Sequence, residues 1–402
     1  MNLHPLSLGS RPAVIPRPPR YAGRQRGLSL IELMIAIALG MVVVVTIGTL
    51  FFYTSRANRQ NEQLAIIQDQ ARFALSTLSR DLSMAGYWGG MGSVSMIVPN
   101  NQDADPGNDS SSASDALDGA SDCGASASER WAFQLTAQDA SQTPPTVWSR
   151  RIEFRNQDSE TPVASIWSCI GDHRGGSDVV ALRRVASEAS ASMASADLKV
   201  TLRAYGYYLQ TNGVVGSLIR WGASDNDAPS GVEPPLTPPM SFHSYLPRIY
   251  YLRNYSRKPG DGIPSLCRKE LCSSHYLAGS NAESGSCGAA SAPATATGFY
   301  SECLAEGVED LQIVWGIANA DGSSYRYTST PTPMEVAQSV QSAQIFLRVR
   351  SAQPDSAYTD SKSYTAGDAA SYTPANTSDD PQATHYHRRL YSPTVQIHNP
   401  AR

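Results

Sequence analysis

The sequence predicts an α+β protein in which a long N-terminal helix precedes a head of short, mainly antiparallel strands with long loops. Three observations predict the helix and the strands. First, the stretch from Leu33 to Ser55 has no charged residue and includes Met34, Ile35, Ile37, Leu39, Met41, Val42 to Val45, Ile47, Leu50, Phe51 and Phe52. At about 1.5 Å per residue it is long enough to cross a bilayer as a helix. Second, the run continues without proline into Leu64, Ile67, Ala71, Ala74, Leu78 and Leu82, three and four residues apart, with Arg59, Gln63, Gln70, Arg72 and Arg80 between them. That is the period of an amphipathic helix with one face toward a core. Third, the rest of the chain breaks into short apolar stretches separated by segments rich in Gly, Pro, Ser and Asp, the mark of strands and turns.

Composition narrows the class further. With 402 residues, 41% hydrophobic and 17% charged, the chain can bury a sizeable core but carries less charge than the roughly 25% usual for soluble domains. Its 19 Tyr against 8 Phe, with 30 Gly and 26 Pro, suit a turn-rich, sheet-containing extracytoplasmic protein better than a compact helical enzyme, and exclude collagen, a coiled coil and full disorder. The formal charge is -4, yet the first 27 residues hold five arginines (Arg11, Arg17, Arg20, Arg24 and Arg26) and no acid. The remainder is therefore acidic, which argues against direct binding of nucleic acid by phosphate neutralisation.

Each element follows in order. Pro12, Pro16, Pro18 and Pro19 keep the first residues extended. The arginines before the apolar run place the N-terminus in the cytoplasm and the body outside, and the run is too long for a cleaved secretory signal. Gly86, Gly89 and Gly90 stop the helix. Asn100 to Glu129, Ser273 to Thr297 and Ser351 to Pro381 read as loops. Strands are expected at Trp131 to Leu135, Arg151 to Phe154, Asp178 to Arg183, Leu198 to Leu202, Val214 to Trp221, Pro247 to Arg253, Leu311 to Trp315, Ala343 to Val349 and Leu390 to Ile397.

The string Arg26-Gly27-Leu28-Ser29-Leu30-Ile31-Glu32-Leu33-Met34 resembles the class III signal of type IV prepilins. Three later strings resemble the PilW family of minor type IV pilins and fall in its order: Arg80-Asp81-Leu82-Ser83-Met84-Ala85-Gly86-Tyr87-Trp88-Gly89, Gly307-Val308-Glu309-Asp310-Leu311-Gln312 and Arg388-Arg389-Leu390-Tyr391-Ser392-Pro393-Thr394-Val395. The resemblance implies that a prepilin peptidase cuts between Gly27 and Leu28 and methylates the Leu28 amine, and that Glu32 sets assembly register. It implies a type IV pilin-like fold and divides the chain into a leader (1–27), a transmembrane or fibre-core half-helix (28–55), an amphipathic half-helix (56–86) and a periplasmic head (87–402). It further implies residence in the inner membrane before assembly. The expected role is priming at the pilus tip with other minor pilins and the major pilin, and display of a PilY-type tip adhesin. The alternative is a J-type minor pseudopilin of type II secretion; an enzyme tethered by a pilin-like anchor is a third reading.

Little supports that third reading. No G-x-S-x-G, H-E-x-x-H, G-x-G-x-x-G or Walker-type loop is present, and no cofactor is expected. His385 and His387 read as a solvated edge pair, and Asp103, Asp105 and Asp109 as an acidic loop, since Pro106 and Ser112 break the calcium-loop pattern. No metal site is expected. The six cysteines, Cys123, Cys169, Cys267, Cys272, Cys287 and Cys303, all follow the apolar segment and read as disulfide formers in an oxidising compartment, zinc being the weaker reading. Cys267 with Cys272 and Cys287 with Cys303 would staple the Ser- and Gly-rich insert, though six cysteines allow 15 connectivities.

Overall fold

The structure, a computed structural model, describes residues 27, 29–98, 123–124, 131–139, 141, 143, 146–193, 202, 207–220, 239–272, 298–319, 324–376 and 380–399. The chain divides into two compact units, Met1–Gln60 and Asn61–Arg402. One helix, α1 (Leu30–Ser83), contributes to both. In the first unit its large apolar side chains are uncovered: Leu30 is 76% exposed and Phe52 75%.

In the second unit α1 presents Ile67, Ala71, Ala74, Leu78 and Leu82 to the core, all buried. The three- and four-residue spacing puts these side chains on one stripe. The helix ends because Gly86 adopts φ +76°, where a side chain would also run into Arg151, and its N–H donates instead to Arg183 O at 3.0 Å.

The strands, in chain order, are β1 (Ile97–Val98), β2 (Thr136–Asp139), β3 (Thr146–Ser149), β4 (Ile152–Arg155), β5 (Val179–Val185), β6 (Ala191–Met193), β7 (Tyr207–Thr211), β8 (Gly216–Arg220), β9 (Met240–Arg253), β10 (Ser265–Cys272), β11 (Gly298–Glu306), β12 (Val308–Ala318), β13 (Tyr325–Thr328), β14 (Val340–Arg350), β15 (Arg388–Tyr391) and β16 (Thr394–Gln396). A short helix, α2 (Pro333–Gln338), opens on a capping box in which Thr332 and Glu335 exchange bonds. Among the described residues, nine strands form a first sheet ordered β1-β8-β7-β9-β10-β11, with β5 and β6 also on β9 and β4 on β5. The second sheet runs β13-β12-β14-β15, with β16 beside β14, and β2–β3 is a separate ribbon. All pairs are antiparallel except β1–β8.

The centre of the first sheet is buried on both faces. Val180, Leu182, Tyr250 and Leu252 join the α1 stripe and the second sheet's Leu311, Ile313, Trp315, Ile345 and Leu347 in one cluster. Their neighbours Val179, Ala181, Ile249 and Tyr251 join Trp88, Trp131, Phe133 and Trp167 in another. Successive strand residues point to opposite faces, so two cores produce a continuous apolar run where one core would produce alternation.

Several strands differ from expectation. Trp131 to Phe133 form a turn, and β2 begins later, because side chains satisfy this backbone: Arg183 donates to Trp131 O and Tyr245 to Ala132 O. β9 starts seven residues before Pro247. Its ladder with β10 ends at Arg248, so the missing N–H of Pro247 interrupts nothing. The expected strand from Leu390 to Ile397 is two, β15 and β16, parted around Pro393, whose carbonyl accepts Ile345 N–H at 2.9 Å. β1, β3, β6, β7, β10, β11 and β13 were not anticipated: β1 and β6 are two or three residues long, β10 and β11 mix charges with cysteines, and β13 is an exposed edge. Of Leu198 to Leu202 only Leu202 is described, and the loops at 100–122 and 273–297 lie outside the described residues. The described residues of 351–387 carry no strand, only turns, two short 3-10 helices (Pro374–Asn376 and Ala383–His385) and one Tyr364–Tyr372 bridge.

Candidate functional site

At the chain's start, Gly27 is described and Leu28 is not. Ser29 precedes the first turn of α1, and its N–H donates to Glu32 Oε2 at 3.1 Å. That is one half of the reciprocal Ser-x-x-Glu cap. The Glu32 carboxylate is thus turned back toward the chain end, one residue from Leu28. The helix from Leu30 is long and apolar enough in its first part to cross a membrane.

Two ion clusters organise the second unit, and each contains a string singled out in the sequence. In the first, Asp81 near the end of α1 is 1% exposed. It accepts Arg184 Nη2 at 2.6 Å and Arg248 Nη1 at 2.8 Å, and the Tyr250 hydroxyl also donates to it. Arg248 continues to Glu270, which also receives Arg268, and Arg268 reaches Glu302 at 2.7 Å. A row of alternating charge therefore runs from the helix across β5, β9, β10 and β11.

In the second, Glu309 of β12 accepts Arg388 Nε at 2.7 Å and Arg348 Nε at 3.0 Å, with Arg350 Nε at 3.7 Å. The two later strings, 79 residues apart, meet in that first bond. Arg348 also pairs with Asp310 at 3.0 Å, and Arg388 with Asp360 at 3.4 Å. The guanidiniums of Arg348 and Arg350 stack on Tyr372 and Tyr386, so the segment 351–387 is fastened over β12, β14 and β15 by charge and by cation–π contact. Burial alone would push the Glu309 carboxyl up; Arg388 and Arg348 outweigh it and hold the group below the usual carboxylate range. Asp178 goes the other way. It accepts N–H groups from Gln157 and Ile313, both at 2.8 Å, but burial outweighs them and, with Asp368 and Asp310 nearby, raises its carboxyl well above the ordinary value.

Arg184, Arg248, Arg348 and Arg350 were missed by sequence reasoning. Their signal was there: arginines inside strands that otherwise read as core, as in Leu347-Arg348-Val349-Arg350. A charge in such a row needs a buried partner.

The cysteine and histidine expectations need correction. Cys123 pairs with Cys169 and Cys267 with Cys303. Cys267 and Cys272 lie five residues apart on one extended strand, about 16 Å along the backbone, beyond disulfide reach. Register instead sets Cys267 directly opposite Cys303. The side chain of Cys272, all of Cys287, and Asp103, Asp105 and Asp109 lie outside the described residues. His387 is not solvated: it is 5% exposed, stacks on Tyr358 at 3.8 Å and faces Asp355 at 3.4 Å, while His385 meets Tyr358 O at 2.7 Å. Of the arginine pair, Arg388 is buried and only Arg389 is exposed. Among the described residues no group of three or more His, Cys, Asp or Glu could hold a metal.

Comparison with known proteins accounts for both ends of this arrangement. The family described as prokaryotic N-terminal methylation motif matches residues 23–48, and the family described as Type IV Pilus-assembly protein W matches residues 249–399, from β9 to beyond β16. The chain thus carries a prepilin methylation motif and a PilW-type segment. The "Pilin-like protein PilA3" of Thermus thermophilus is 36% identical over 67 residues, 16% of this chain and 28% of that relative's length. No solved structure matches significantly. The PilW family is one of structural subunits, and the chain's apolar helix and prepilin signal fit membrane anchoring. The PilW match contains the whole Glu309 cluster, so the fastening of 351–387 belongs to the part of the chain that the family shares.

Proposed function

We propose that this chain is a minor type IV pilin of the complex that primes pilus assembly at the tip and supports display of a large PilY-type adhesin. The observation that carries the reading is the joining, in one chain, of an apolar helix whose large side chains from Leu30 to Tyr53 are uncovered to a PilW head with its own packed core. Such a helix needs an outside host: first the bilayer, with the N-terminus cytoplasmic and the head periplasmic, then the helices of other minor pilins and the major pilin. In this reading the prepilin peptidase cuts Gly27–Leu28 and methylates Leu28. The Glu32 carboxylate, already turned toward that end of the chain, then meets the new amine of its own or a neighbouring subunit and sets axial register.

Intact-mass measurement and pilus counts test this together. Membrane-extracted protein begins at N-methylated Leu28, Gly27→Val remains uncleaved, and Glu32→Ala is cleaved and inserted but depleted from purified tip complexes, with fewer pili. Wild-type pilus number and normal co-purification of the other minor pilins in Glu32→Ala cells would remove the register role. Co-purification of the wild-type protein with secretion pseudopilins instead of pilus subunits would remove the pilus reading.

A further inference from the structure

The second unit contains a cavity of about 480 Å³ against β4, walled by Ile152 and Phe154 of that strand, Trp148 of β3, Trp167, and Val336 of α2. Its position matters because, among the described residues, β4 pairs with β5 alone. Arg183 N–H donates to Arg151 O at 2.9 Å, and these residues lie opposite each other in the β4–β5 register. Bonded and non-bonded pairs alternate along an antiparallel ladder. Glu153 and Arg155 therefore turn their backbone groups to β5, and Ile152 and Phe154 turn theirs away. Arg150 obeys the same alternation, since its N–H donates outward to Leu135 O at 2.8 Å. The next two outward residues, Ile152 and Phe154, are without a backbone partner among the described residues, and both line the cavity. An open row of this kind is a template for another strand.

The walls state what such a strand must carry. Trp148, Phe154, Trp167 and Val336 are apolar surfaces. The charges at the cavity are already spent on one another: Arg150 donates to Glu153 and Gln134, and Glu153 also accepts the Trp131 indole at 2.6 Å and faces Arg183 at 3.4 Å. Trp167, 1% exposed, keeps an indole N–H with no acceptor among the described residues. The cavity therefore offers nothing to an ion and something to an apolar side chain, with one donor left for a carbonyl.

We propose that the free edge of β4 receives an extended, uncharged peptide segment of a neighbouring pilus subunit, which adds as a strand and sets one apolar side chain into this cavity. Main-chain bonds to Ile152 and Phe154 supply adhesion, and the cavity supplies selection. That the neighbour is a pilus subunit rests on the function proposed above; strand addition rests on the edge itself.

Hydrogen exchange resolved to single amides, on the full-length protein alone in detergent and within purified tip complexes, tests the proposal. The Ile152 and Phe154 amides slow by at least about tenfold in the complex, whereas Glu153, already bonded to β5, stays unchanged. A benzoyl-phenylalanine photocrosslinker at Ala137, which also lines the cavity, joins a peptide of another pilus subunit. Phe154→Pro removes the outward N–H together with the ring that packs on Trp315 and abolishes the crosslink, Phe154→Leu loses the ring but keeps the N–H and retains the crosslink, and Ala137→Trp fills the cavity and blocks protection. A crosslink to this chain's own residues 99–122 or to a second copy overturns the proposal. So does unchanged exchange at Ile152 and Phe154 in normally assembled pili, a result that leaves the tip reading standing.

Discussion

Glu309→Gln removes one charge and almost no volume from the centre of the second cluster. In the wild type that carboxylate is 6% exposed as part of its residue and is shared by Arg388 at 2.7 Å, Arg348 at 3.0 Å and Arg350 at 3.7 Å. Taking one partner from a buried ion pair costs about 3–5 kcal/mol, because the remaining charge stays desolvated. Here no arginine is left entirely alone: Arg388 keeps Asp360, Arg348 keeps Asp310 and Arg350 keeps Asp380 at 3.5 Å. The expected loss is therefore near the lower end, about 3 kcal/mol, or roughly a hundredfold in the folded-to-open ratio. Because these arginines fasten residues 351–387, the opening is local as well as global. Urea unfolding of the full-length protein in detergent measures the loss, and limited proteolysis within 351–387 reports the local part. The pH dependence has a definite sign. The folded Glu309 carboxyl lies below its ordinary 4.5, so its contribution is complete above that pH and disappears as pH falls through the lower folded value. Glutamine does not titrate, so the gap between wild type and variant is constant near neutrality and closes in acid. A loss under about 1 kcal/mol, the size of an exposed pair, or a gap that persists in strong acid, would refute the reasoning.

Two further outcomes follow from the same packing. Asp81→Ala leaves Arg184, 7% exposed, with the Val185 carbonyl as its remaining partner among the described residues, and should cost about 3–5 kcal/mol in the same assay; adding Arg184→Met should recover part of it, and strict additivity would show the pair is not coupled. Gly307→Ala places a side chain at φ +80° against the Arg350 carbonyl, in a residue whose N–H and C=O already bond Pro264 and Arg350 at 2.8 Å each. A loss above about 2 kcal/mol is expected, and a variant that unfolds like wild type would show that this turn can rearrange.

How much of this was legible depends on the range of the interactions. The stripe Ile67, Ala71, Ala74, Leu78 and Leu82 announced a helix and its buried face, because both are set by residues within one turn of each other. β12 and β14 were legible at their centres, where Leu311 to Trp315 and Ala343 to Val349 are apolar. β10 was not: Ser265-Leu266-Cys267-Arg268-Lys269-Glu270-Leu271-Cys272 reads as a polar segment until Arg268 and Glu270 find each other, Glu302 and Arg248 across three strands. The same holds for His387, whose burial comes from a segment folded back over it: Ser351 N–H bonds its carbonyl at 2.9 Å and Tyr358 stacks on its ring.

The sequence by itself determined the anchor, the helix, its stop at Gly86, the mixed α+β class and the resemblance to PilW pilins. Each of these lives in short strings or in the helical period, where neighbours in the chain are neighbours in space. Only the tertiary structure decided which cysteines pair, which carboxylates are fastened by which arginines, and which strand edge is left open beside a cavity. Cys267 and Cys303 are 36 residues apart and Glu309 and Arg388 79. Such partners are chosen by strand register and sheet order, and a one-residue slip in register would turn every one of them to the opposite face.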